Sequence, residues 1–107
     1  MANIGYAQLA SGLTATGTTQ ATAYVLIADR NFFSTVAAST GAILNSNRSQ
    51  GDSQTIYNGG ANPLTVYPPV GSQINELTTN AGMLLPIRTA CQFIHSATTQ
   101  WTGILSR

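Results

Sequence analysis

The sequence predicts an all-β domain, a sandwich or barrel of about eight short strands. Short runs rich in β-branched and aromatic residues recur along the chain, with Gly, Pro, Asn and Asp between them. Several runs alternate polar and apolar residues, the period of a half-buried strand. No window carries a capped apolar stripe at helical spacing.

Residues 1–22 read as an arm preceding a domain over 23–107. "SGLTATGTTQAT" is small, polar and turn-rich, with no period. Ile4, Tyr6, Leu9 and Leu13 are scattered apolar anchors along it. The first strand is expected at Tyr24–Ile27 and, after the turn Asp29-Arg30-Asn31, the second at Phe32–Val36. "AASTG" leads to Ala42–Leu44. A polar loop, "NSNRSQGDS", precedes Gln54–Tyr57. The next strand is Leu64–Tyr67. Gly59-Gly60 and Asn62-Pro63 turn the chain into it, because Gly accepts φ > 0 and Pro fixes its own φ. Pro68-Pro69 ends it, since neither residue can donate to a ladder, and such prolines suit an edge strand. Met83–Leu85, Ala90–His95 and Trp101–Leu105 complete the set. A turn of helix near Ile74–Thr79 is the one helical candidate.

The composition narrows the function classes. At 107 residues the chain is the size of a single domain. Charged residues make up 7%, against roughly 25% in typical soluble chains. There is no lysine, and the net charge is +1. That provides no electrostatic footprint for nucleic acid and no basic patch for an anionic membrane. No apolar run approaches the roughly 20 residues of a membrane helix, and "MANIGYAQL" lacks the pattern of a signal peptide. Little self-repulsion opposes association, so a homo-oligomer is expected, a dimer before a trimer.

Catalytic and metal chemistry find few groups. Cys91 is the single cysteine, in the apolar context "TACQFI", and reads as a buried, inert thiol. His95 is the single histidine and has no evident ligand partners beyond Cys91. No serine sits in a nucleophile elbow, and three acids in the whole chain make paired-carboxylate chemistry improbable. "GGANP" is not a phosphate-binding loop. The expectation is a protein without enzymatic activity, metal or cofactor. Tyr57, Tyr67 and Trp101 are the rings that could stack on a sugar, but core or interface packing is the role favoured for them.

The segments "YNGGANPLTVYPPVGSQIN", "TTNAGMLLP" and "CQFIHSATTQWTGIL", about half of the chain, resemble small β-sandwich virion proteins of tailed bacteriophages, most of all capsid cement or decoration proteins. The resemblance implies antiparallel strands in a jelly-roll-like sandwich; it does not cover the arm over residues 1–22. It implies synthesis in the host bacterial cytoplasm and a place on the capsid exterior, bridging subunits of the major capsid protein. Similar modules occur in tail, baseplate and fibre proteins, and a receptor- or glycan-binding module is the rival. If the chain binds a capsid, Ile4, Tyr6 and Leu9 of the arm, apolar yet outside the strand pattern, and Arg48 of the polar loop are candidate contacts. Arginine suits that role because its planar fork grips a carboxylate.

Overall fold

The computed structural model describes residues 8–105. The chain is all-β, with ten strands in this span: β1 (Leu9–Thr14), β2 (Tyr24–Val25), β3 (Arg30–Thr35), β4 (Gly41–Ile43), β5 (Ser53–Asn58), β6 (Leu64–Tyr67), β7 (Gln73–Ile74), β8 (Met83–Leu85), β9 (Ala90–Ala97) and β10 (Gln100–Leu105). All eight expected strands are present, with ends shifted by a few residues. The other two, β1 and β7, fall where an arm and a helical turn were expected. The helical turn lies elsewhere, as a single 3₁₀ turn at Gln20–Thr22.

Strand pairing corrects the expected antiparallel jelly roll. The chain shuttles between a six-stranded sheet, ordered β1-β3-β5-β9-β10-β7, and a four-stranded sheet, ordered β2-β4-β6-β8. Within each sheet the early strands stack in parallel. Leu9 lies beside Arg30 and Arg30 beside Thr55 in one sheet; Tyr24 lies beside Ala42 and Gly41 beside Thr65 in the other. Parallel neighbours need a long crossover. Here each crossover runs through a strand of the opposite sheet, so the chain winds in a solenoid-like coil. The winding then changes direction: β8 pairs antiparallel to β6, and β9 antiparallel to both β5 and β10.

One core fills the space between the sheets. It includes Leu26, Phe33, Leu44, Ile56, Leu64, Val66, Ile74, Leu85, Phe93 and Trp101, each 1% exposed or less. The alternation seen in the sequence assigns the faces: Ile56, Leu64 and Val66 point inward, while Thr55, Tyr57, Thr65 and Tyr67 are half-buried on the outer faces. Gln54 and Asn58 also point inward and tie loops to the core. The Gln54 amide donates to Ala28 O (3.0 Å), and its Oε1 accepts from Asn45 N (2.8 Å). The Asn58 amide donates to Leu85 O (3.0 Å) and Asn62 O (2.9 Å).

The glycine pair after Asn58 serves close approach rather than positive φ, which neither residue adopts. A Cβ on Gly60 would lie 2.6 Å from the Val36 backbone nitrogen. Asn58 Oδ1 closes the turn by accepting from Gly60 N (2.9 Å). Pro68 and Pro69 do end β6, but β6 lies between β4 and β8 and is not an edge strand.

Candidate interaction surface

The stack of strands starts at an edge. Among the described residues, β1 and β2 are the terminal strands of their sheets, each with one neighbour. Neither "LASGLT" nor "YV" contains a charge or a proline, the usual devices that protect an edge. Two register shifts and Gly12 at φ +66° interrupt the β1 ladder and twist the strand locally. Leu9 is 65% exposed here, and Val25 and Ile27 are also exposed. An apolar, uncharged strand edge of this kind suits cover by another protein.

A polar junction holds this end together. Asp29 Oδ2 accepts from Gln8 N (2.9 Å), and Gln8 O accepts from Asp29 N (3.1 Å) and Arg30 N (2.9 Å). Arg48 Nη1 forms an ion pair with Asp29 Oδ1, and Nη2 donates to Ile27 O (2.6 Å). The backbone N–H of Gln8 and then the Arg48 guanidinium hold the Asp29 carboxyl below its ordinary range, against the opposing effect of burial. The polar loop is anchored from its other side by His95, whose Nδ1 lies 2.8 Å from Arg48 O. Asp52 O accepts from His95 N (2.9 Å).

The predicted site residues separate on this frame. Leu9 is exposed at the first edge, while Ile4 and Tyr6 lie outside the described residues. The second half of the expected arm is strand β1 followed by the 3₁₀ turn. Arg48 is not a free loop arginine. It pairs with Asp29 rather than the nearer-in-sequence Asp52, whose carboxylate accepts from Ser49 N (3.2 Å) and closes the loop. Sequence reasoning missed Asp29 as the partner because the contact joins two separate crossovers.

The three aromatic candidates do not form one platform. Tyr57 lies on the outer face of the six-stranded sheet, tilted against Phe32 with centroids 6.1 Å apart. Tyr67 lies on the outer face of the four-stranded sheet, its hydroxyl donating to Thr18 O (3.3 Å). Trp101 is in the core at 1% exposure, stacked on His95 at 4.7 Å and 8°. Trp101 therefore takes the core role favoured for it and drops out as an oligomer or glycan surface candidate.

Other features carry little chemistry. Burial pushes the Cys91 thiol up to about 12, so it is protonated and unreactive at neutral pH. Among the described residues, no three His, Cys, Asp or Glu side chains lie together in a way that could hold a metal ion. A cleft of about 640 Å³, lined by Asn75, Glu76, Leu77, Met83 and Gln100, is open and brings in one carboxylate. No helix among the described residues is long and apolar enough to cross a membrane. Comparison with protein-family models yields no match, and comparison with curated protein sequences yields none either.

Proposed function

We propose that this chain is a structural protein of a bacteriophage particle, a capsid cement protein that docks on the outer shell and joins neighbouring subunits of the major capsid protein. The observation that carries this reading is the β1–β2 edge, the outer edge of both sheets among the described residues, a charge-free rung with Leu9, Val25 and Ile27 exposed. A partner that covers it gains apolar burial and completes hydrogen bonds at once. The low total charge fits a surface meant to be covered. A tail or fibre component is the second reading, because a stack open at one end can continue into further parallel strands.

Leu9 tests the docking edge with little risk to the fold. Leu9→Glu removes a side chain whose burial contributes about 1.5–3 kcal/mol and sets a carboxylate in its place. Occupancy on particles, measured with limiting protein, should correspond to an affinity reduced about tenfold or more. Deleting residues 1–7, which include Ile4 and Tyr6, should weaken docking in the same assay. Removal of residues 1–13 is a poor test, because it takes away most of β1. Unchanged occupancy for Leu9→Glu would exclude this edge as the docking surface.

A further inference from the structure

We propose that the groove between the Pro69–Ser72 turn and the β9–β10 turn is a binding site for one neutral sugar ring. Its volume is about 320 Å³. Two of the side chains that line it are polar, buried and unpaired. Ser72 is 7% and Trp101 1% exposed. Among the described residues, neither the Ser72 hydroxyl nor the Trp101 indole N–H has a hydrogen-bond partner. Buried groups of this kind normally have one, and leaving them without costs stability. One face of the Trp101 ring lies on His95, and the residue is 1% exposed in all. The ring therefore has no open face to stack on a ligand, and its N–H is the part left to bind one.

The walls of the groove are held in place by the backbone. Ser72 N donates to Pro69 O (2.9 Å), Gly71 N to Asn80 Oδ1 (2.7 Å) and Asn80 N to Ser72 O (2.8 Å). On the other side Gln73 N donates to Thr99 O (3.0 Å), and Thr98 Oγ1 accepts from Gln50 Nε2 (3.1 Å). A site fixed in this way loses little freedom on binding. The chemistry of the lining selects the ligand. It contains no Asp, Glu, Lys or Arg, so no side chain there pairs with an ion of either sign. Both nitrogens of His95 already lie against backbone oxygens, Nδ1 2.8 Å from Arg48 O and Nε2 3.2 Å from Thr98 O. An apolar ligand would strand the Ser72 hydroxyl and the indole N–H. A ligand hydroxyl accepts from the indole N–H and donates to Ser72 Oγ at once. The hydroxyls of Ser46 and Thr99 can meet its neighbours in either sense. Adjacent hydroxyls of a sugar suit such a set better than the fixed donor and acceptor of a peptide group. Val70, 77% exposed, provides an apolar flank for the C–H face of the ring. The volume lies at the lower end of ligand clefts, room for one ring rather than a chain of them.

The single tryptophan of the chain makes the test direct. In the full ¹⁵N-labelled chain its indole N–H is one NMR resonance. Glucose, galactose, mannose and N-acetylglucosamine are each titrated to about 100 mM, which covers the millimolar Kd expected of so small a ligand. At least one sugar should move the indole resonance and the Ser72 and Thr99 amides along one saturable curve. Glycerol at the same concentration should leave them in place. Ser72→Ala should weaken binding about three- to tenfold, the loss of one hydrogen bond, with an unchanged near-UV circular dichroism spectrum. If that substitution disturbs the fold, Ser46→Phe serves in its place, because Ser46 is exposed at the rim and the larger ring blocks the groove. No saturable shift with any of these sugars would overturn the proposal. So would equal shifts from glycerol, or binding that survives both substitutions. A saturable shift with N-acetylglycinamide and with no sugar would overturn it too, and would assign the groove to a peptide. No particle enters the test, so its failure leaves the docking edge untouched, and the reverse also holds.

Discussion

Trp101→Ala should lower the stability of the fold by about 3–5 kcal/mol, a large part of the roughly 5–15 kcal/mol that holds a small domain folded. The ring is 1% exposed and stacks on His95. Its strand is held from both sides at this point: Trp101 pairs with His95 of β9 and with Ile74 of β7, and Trp101 O accepts from Asn75 N (2.8 Å). Alanine would leave a hole beside a groove of about 320 Å³ lined in part by His95, Thr98 and Thr99. Rigid strands on both sides limit collapse into it. Trp101→Phe should recover more than half of the loss by restoring a flat ring against the imidazole. Urea denaturation of the three proteins measures this. A loss below about 1 kcal/mol for alanine would place the ring outside the core, as a surface role would require.

Arg48→Ala should cost about 1.5–3 kcal/mol, the range for hydrogen bonds to charged groups. An Arg48 that served only as a capsid contact would give lower partner affinity at constant melting temperature. The geometry makes lost stability the expected result, because the guanidinium joins Asp29 and Ile27 O across two crossovers. Arg48→Lys should restore only part of the loss, since an ammonium lacks the fork that reaches both acceptors. The pH dependence has a defined sign. Asp29 has a lower pKa folded than unfolded, so the unfolded chain takes up its proton first on acidification. The contribution of Asp29 is present above the ordinary carboxylate range and is lost as pH falls from that range through its lowered folded pKa. Asp29→Asn should remove this acid limb, and Arg48→Ala should shrink it while the Gln8 bond remains. Denaturation near neutrality and at about pH 3 checks both. Equal stability of Arg48→Ala and wild type at neutral pH would return Arg48 to the role of a free loop residue.

The strand faces were legible where alternation is strong. Ile56 of β5 and Leu64 and Val66 of β6 face inward, on the positions the pattern marks. β1 escaped because "LASGLT" is small-residued, lies mostly exposed, and is broken by bulges at Gly12, so no period of two survives. β7 has two residues, too few for any period. Pairing direction was not legible at all. A strand's own residues state which side faces the core but not which way its neighbour runs, and here that is decided by crossovers through the other sheet. The same parity argument, pressed further, would have found Gln54 and Asn58 inside with Ile56. It would also have put Trp101 inside, since Gln100 and Thr102 flank it in "QWTG". The Asp29–Arg48 pair had no sequence signal, because it depends on how two loops stack.

The copy number of this chain on purified particles tests the structural role most directly. Under the proposed role, purified virions that carry the chain, separated by gel electrophoresis and quantified by densitometry, provide its ratio to the major capsid protein. A cement protein should approach a fixed, near-stoichiometric ratio, and particles stripped of it should break at lower temperature until the chain is added back. A few copies per particle would point to the tail. Absence from particles that infect normally and resist heat as well as before would contradict the proposed role.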